Sequence, residues 1–148
     1  MKSIKRVFFV LIFLGISLMS FSQSENIALK KEGEWGSGAY LKMIASGQYV
    51  YCASYTGGID IIDIEDKDNP VKVGNYEILN IKDFCISGDF AYVASRSDII
   101  ILDISDEIHP VQVGRYTYGG DVVAVKGNYL YTVHSYGHLE VIDISNKK

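Results

Sequence analysis

The sequence predicts an all-β protein built from three tandem four-stranded antiparallel units. Composition, an internal period and a fixed order of three motif blocks predict it. Eleven Tyr, fourteen Gly and only two Pro stand among many Ile and Val in 148 residues, a mixture that favours strands joined by tight turns over helices. At 48% hydrophobic content the chain can fill a packed core, which excludes a disordered polymer. The runs Ile59-Asp60-Ile61-Ile62-Asp63-Ile64, Ile99-Ile100-Ile101-Leu102-Asp103-Ile104 and Leu139-Glu140-Val141-Ile142-Asp143-Ile144 share one pattern, their aspartates spaced by 40 residues. Upstream of each lies Gly47-Gln48-Tyr49-Val50-Tyr51, Gly88-Asp89-Phe90-Ala91-Tyr92 or Gly127-Asn128-Tyr129-Leu130-Tyr131. Downstream, Asn69-Pro70-Val71-Lys72-Val73-Gly74-Asn75-Tyr76 matches His109-Pro110-Val111-Gln112-Val113-Gly114-Arg115-Tyr116.

Each period reads as four short strands, at about residues 40–45, 49–54, 59–64 and 71–77 in the first copy, and the copies span about 39–77, 80–117 and 120–146. Between the first and second strands, Gly47-Gln48, Gly88-Asp89 and Gly127-Asn128 fit two-residue hairpin turns that need positive φ. The third strand is nearly continuously apolar, the pattern of a strand covered on both faces and central in its sheet. Polar connections then end at Pro70 or Pro110, and a residue without an amide hydrogen suits the first position of an edge strand. Four antiparallel strands at this period are the pattern of propeller blades.

The first 22 residues read as a secretory leader. Lys2, Lys5 and Arg6 precede the apolar run 7–16, and Ser20-Phe21-Ser22 supplies small residues for a cut after Ser22. The apolar stretch is shorter than the roughly 20 residues a permanent span needs and is interrupted by Gly15, Ser17 and Ser20. No stable membrane span is therefore expected after cleavage, and the mature chain is expected in the periplasm, at the cell surface or outside the cell. Removing the leader's three basic residues leaves eleven basic against eighteen acidic, a net charge of −7. With no basic stripe to displace counterions from phosphates, nucleic-acid binding is not expected.

The windows ending at Asp63, Asp103 and Asp143, together with the Gly-x-Tyr/Phe-x-Tyr and Pro-Val-x-Val-Gly blocks, resemble the LVIVD repeat family from about Gly33 onward. The resemblance implies a secreted or surface-exposed β-propeller without an assigned catalytic motif. Closed propellers usually have four to eight blades, whereas this sequence holds about three.

Lys31-Glu32-Gly33-Glu34-Trp35 aligns with Lys72-Val73-Gly74-Asn75-Tyr76, so an outer strand is expected at about 30–36, and the third copy stops after a third strand. The two ends are complementary. Three blades would have to turn about 120° each to close, beyond ordinary blade packing. Two outcomes follow: an open arc that pairs with a second copy, or a piece of a longer gene.

Repeated residues are expected to serve the fold. Asp63, Asp103 and Asp143 should satisfy backbone amides after each third strand. Tyr51, Tyr92 and Tyr131 should pack between blades. Cys52 and Cys85 read as buried thiols acting as small hydrophobes, with a disulfide as the alternative. His134 and His138 flank a turn without a visible third ligand, and His109 precedes proline in a polar loop; no metal site is expected. No nucleophile elbow, phosphate loop or His-Glu-x-x-His motif is present in the sequence. Asp83 and Asp121, near the starts of innermost strands, are the residues expected at the propeller mouth. No catalytic, cofactor or metal residue is assigned. The sequence thus reads as an exported non-enzymatic scaffold for protein or glycan contact at the envelope, partnered by itself or another envelope protein. The alternative is a fragment of a larger propeller hydrolase with a carboxylate or metal site at the ring centre.

Overall fold

The structure, a computed structural model, describes residues 29–34, 36, 39–96, 98–134 and 136–146. The chain divides at Lys30, and the unit Lys31–Lys148 carries the strands of the described residues. The leader, Trp35 and the two C-terminal lysines lie outside the described residues.

Among the described residues, eleven strands form three antiparallel sheets. The first blade contains β1 (Tyr40–Ser46), β2 (Tyr49–Ser54), β3 (Gly58–Asp63) and β4 (Val71–Tyr76), paired in sequence order. The second contains β5 (Ile81–Ser87), β6 (Phe90–Ser95), β7 (Asp98–Asp103) and β8 (Val111–Thr117). The third contains β9 (Val122–Lys126), β10 (Tyr129–Val133) and β11 (Leu139–Asp143). No helix occurs among the described residues, and the three sheets form an open arc rather than a closed ring. The expected hairpins are present: Gly47, Gly88 and Gly127 take φ of 58°, 58° and 60°, a conformation that costs residues with a Cβ about 1–2 kcal/mol.

The apolar third strands are interior to the four-stranded sheets, as their composition requires. In the second blade both faces are buried, because successive strand residues point to opposite sides. Ala91, Val93 and Leu102 join Tyr51, Ile59 and Ile61 of the first blade in one core. Tyr92, Ala94 and Ile99 join Val123, Leu130 and Ile144 of the third in another. The described residues thus form two cores, one per blade contact. Strands β1, β5 and β9 are innermost and follow one another across those contacts.

One expected strand is not seen among the described residues. Residues 31–34 carry no strand and do not extend the third blade. Instead, Gly33 packs on the Lys67 carbonyl and Pro70 of the first blade, a contact that leaves no room for a Cβ. Backbone proximity to the first blade, rather than sequence similarity to a fourth strand, fixes this segment within the chain.

Candidate functional site

The repeated aspartates are turn ligands. Oδ1 of Asp63, Asp103 and Asp143 accepts the amides of Glu65, Ser105 and Ser145, each at 2.8 Å. These local bonds hold the Asp103 and Asp143 carboxyls below the usual carboxylate range. Because the carboxylates end the third strands of three separate blades and face their own turns, they do not converge on a shared centre.

The repeated tyrosines divide by position in the arc. Tyr51 is buried, and its hydroxyl reaches across the blade contact to the Glu107 carbonyl at 3.5 Å. Burial pushes its phenol up to about 12. Tyr92 is buried against the third blade, but its hydroxyl has no hydrogen-bond partner among the described residues. Tyr131 is half-buried. Cys52 and Cys85 are free thiols on separate blades. Burial pushes Cys85 up to about 11, well into its unreactive thiol form at neutral pH.

The innermost strands carry polar residues that differ from blade to blade. Asp83 joins all three blades: Oδ1 accepts Lys42 Nζ from β1 at 2.6 Å, while Oδ2 accepts the Val123 amide of β9 at 2.9 Å. Its side chain is mostly shielded, so the structure places Asp83 as a tie between blades rather than as a group open to a ligand. Asp121 pairs with Lys82 at the start of the next strand and remains partly accessible.

Around that pair lies a cavity of about 270 Å3 lined by Lys82, Arg96, Tyr118, Asp121, His134 and Tyr136. Its walls come from the start of β5 and from loops of the second and third blades. Gly120 enables the close approach: its amide donates to Thr132 Oγ1 at 3.0 Å, and a Cβ there would collide with that hydroxyl and the Val133 carbonyl. Next to it, the Asp121 amide donates to the Val133 carbonyl at 2.7 Å, which delivers Asp121 beside Lys82. Asn80, Arg96 and Tyr118 take φ of 60°, 50° and 73°, and they are the only non-glycine residues with positive φ among those described. A chain of backbone bonds fixes this region, from Asn80 N to Tyr55 O at 2.8 Å and from Arg96 N to Asn80 O at 3.0 Å. Left-handed side-chain residues persist where neighbours over-determine them, and they concentrate at functional sites. Tyr118 and Tyr136 present their rings to solvent, at 78% and 91% exposure. His134 Nε2 stands 3.3 Å from Glu140 Oε1. His138 engages His134 only through the backbone, accepting its amide at 3.1 Å. His109 is exposed beside Asp106, 3.0 Å away.

Of the residues expected at the mouth, the structure therefore puts Asp121 in the cavity and Asp83 in the framework. Sequence reasoning missed Lys82, Arg96, Tyr118 and Tyr136. The signal for Lys82 was a break in the repeat, since Leu41, Lys82 and Asp121 occupy one register position with three different chemistries. No group of three metal-ligating side chains is assembled among the described residues. No helix among them is long and apolar enough to cross a membrane.

Repeated blades in an open arc with a rim cavity of unrepeated residues define a protein of the β-propeller repeat class. The profile of the LVIVD repeat matches residues 38–78, 80–118 and 119–147, and the chain belongs to the LVIVD repeat family. A search of curated protein sequences finds no match. Among solved structures, the chain is similar to the computationally designed Ika4 protein, at 13% identity and a TM-score of 0.55 over 70% of this chain. It spans 64% of that protein's length, and the likeness concerns the fold.

Proposed function

We propose that the chain is an exported, non-enzymatic repeat scaffold that binds protein or glycan at the cell envelope through the rim between its second and third blades. The observation that carries the reading is a division of labour. The aspartates identical in all three repeats serve turns, whereas the rim cavity gathers unlike residues: two cations, a carboxylate, a histidine and two exposed tyrosines. Tyr and Arg supply large contact area with a polar handle and dominate recognition surfaces. Export is supported by the charged, apolar and small-residue order of residues 1–22.

The test is fractionation of the producing cell, followed by titration of the purified chain with envelope proteins and surface oligosaccharides. The expected result is an envelope or extracellular chain with a saturable ligand whose affinity falls tenfold or more in Tyr118→Ala/Tyr136→Ala. Binding indifferent to that double variant, or turnover of a hydrolysable ligand, overturns the reading.

A further inference from the structure

The hairpin that joins the second and third strands differs in length from blade to blade. Three residues separate the paired Ser54 and Gly58 in the first blade, two separate Ser95 and Asp98 in the second, and five separate Val133 and Leu139 in the third. The favoured two-residue turns need positive φ, a demand that Gly and Asn meet at least cost. Arg96 meets it instead, at φ 50°, and a residue with a Cβ held there costs about 1–2 kcal/mol. Its counterparts Tyr55 and His134 are not left-handed. A local rule broken without a local gain marks a residue kept for another contact.

Among the described residues, no hydrogen bond or ion pair holds the Arg96 guanidinium. Arg115, the other described arginine, is by contrast engaged by Asp98 at 3.1 Å through Nε. Arg96 is exposed and lines the cavity of about 270 Å3 together with the Lys82–Asp121 ion pair. Tyr118 lines the same cavity, also at positive φ, and stays largely exposed although the blades on both sides of it are described. A free cation, an accessible ion pair and an exposed ring thus converge at one point, where the connection between the second and third blades passes the short hairpin.

We infer that this cavity takes a sugar acid, with the sugar's carboxylate on Arg96, its hydroxyls on the Lys82–Asp121 pair and its ring face on Tyr118. The inference rests on the rim being a binding site, as proposed above, and adds the chemistry of its ligand. A guanidinium presents parallel N–H donors in the geometry that a carboxylate accepts. The Lys82–Asp121 pair, still partly accessible, offers a donor and an acceptor side by side, which suits neighbouring hydroxyls; its charges offset each other, so Arg96 is the cation left for an anion. The electron-rich face of a phenol attracts the C–H groups of a pyranose. At about 270 Å3 the cavity lies just below the roughly 300–1,000 Å3 of pockets for drug-sized ligands, which leaves room for one ring.

An acidic peptide would satisfy Arg96 and little else. Its carboxylates come without hydroxyls for Asp121, and a run of them would meet a chain of net charge −4, whose field repels polyanions. A neutral glycan would use the ion pair and the ring but leave Arg96 strained to no purpose. One charged ring within an oligosaccharide matches all three features.

Protein purified from the producing cell is titrated calorimetrically with galacturonate and glucuronate trisaccharides, with their methyl esters and with triglutamate, at one ionic strength. At least one acid should bind about tenfold or more tightly than its ester, the difference expected for a charged hydrogen-bond partner. Arg96→Asn, which keeps a residue tolerant of positive φ, should bring that acid down to the affinity of its ester and leave the ester within about twofold. Tyr118→Ala should weaken acid and ester alike. Should Arg96→Asn fail to fold, Arg96→Gly takes its place. Equal binding of acid and ester, a preference that survives loss of the guanidinium, or triglutamate bound as tightly as the acid overturns the inference; the rim reading survives these results if binding still falls in Tyr118→Ala/Tyr136→Ala. Absence of binding by every probe overturns the inference as well, and the rim reading then stands or falls with the double variant and the envelope ligands.

Discussion

The second and third blades are written in one pattern and differ in surroundings. Ile99 and Leu139 stand at the same register position, yet one is fully buried and the other is 63% exposed. In the second blade, each face of the sheet meets a neighbour. Among the described residues, the third blade meets one. The pattern thus encodes a strand fit to be covered twice, and the number of neighbours decides whether it is.

The largest effect expected from that contrast concerns these two side chains. Ile99→Ala should cost about 2–5 kcal/mol in urea denaturation, the usual range for emptying a packed aliphatic site, at any protein concentration. Leu139→Ala should cost about 0.5 kcal/mol or less in dilute protein, as surface changes do. Its cost should grow with concentration if association buries the face. Equal, concentration-independent costs for the two variants would remove the distinction between the blades.

The same contrast explains what the sequence made legible. Strand positions, hairpin turns and the order within each sheet follow from local alternation, glycine placement and the period, and those signals repeat three times. The turn role of Asp63, Asp103 and Asp143 was legible for the same reason, since identical residues in identical register call for a shared local partner. The seat of residues 31–34 was not, because similarity to a fourth strand says which contacts suit the segment and not which blade is within reach. Nor was the rim cavity. Arg96, Tyr118 and Tyr136 sit in loops outside the repeated blocks, and only the close packing at Gly120 and the left-handed turns bring them together.

Asp83 breaks the comparison at the inner strands. Its counterparts are Lys42 in the first blade and Val122 in the third, so one position holds a cation, an anion and an apolar side chain in successive blades. The anion alone contacts both neighbours. Removing it in Asp83→Ala leaves the Val123 amide without its acceptor and Lys42 without its partner. The loss should be about 1–3 kcal/mol, the range for stranding a shielded donor. Asp83→Asn keeps an oxygen for the amide and loses the ion pair, so it should cost less. Thermal denaturation of both variants gives the order; equal costs would mean that the amide contact contributes nothing.

The smallest effect distinguishes the first blade from the second at a matched position. Asp60 and Ile100 occupy the same place in their third strands. Burial alone would raise the Asp60 carboxyl, but hydrogen bonds with Lys72, Tyr40 and Asn75 outweigh it and hold the group below its ordinary value. Lys72 Nζ lies 2.6 Å away and Tyr40 Oη 2.8 Å away. With the folded value depressed, the unfolded chain binds the proton more readily. The resulting stability is present above the ordinary aspartate value of about 3.9 and is lost as pH falls through the lower folded value. Asp103 and Asp143 are lowered as well, but they contribute alike to parent and variant and cancel. Asp60→Asn should therefore be less stable than the parent at pH 7, and the gap should shrink steadily as the solution is acidified below about pH 4. A gap that stays constant from neutral to acid pH would show that Asp60 acts through its shape and hydrogen bonds and not through its charge.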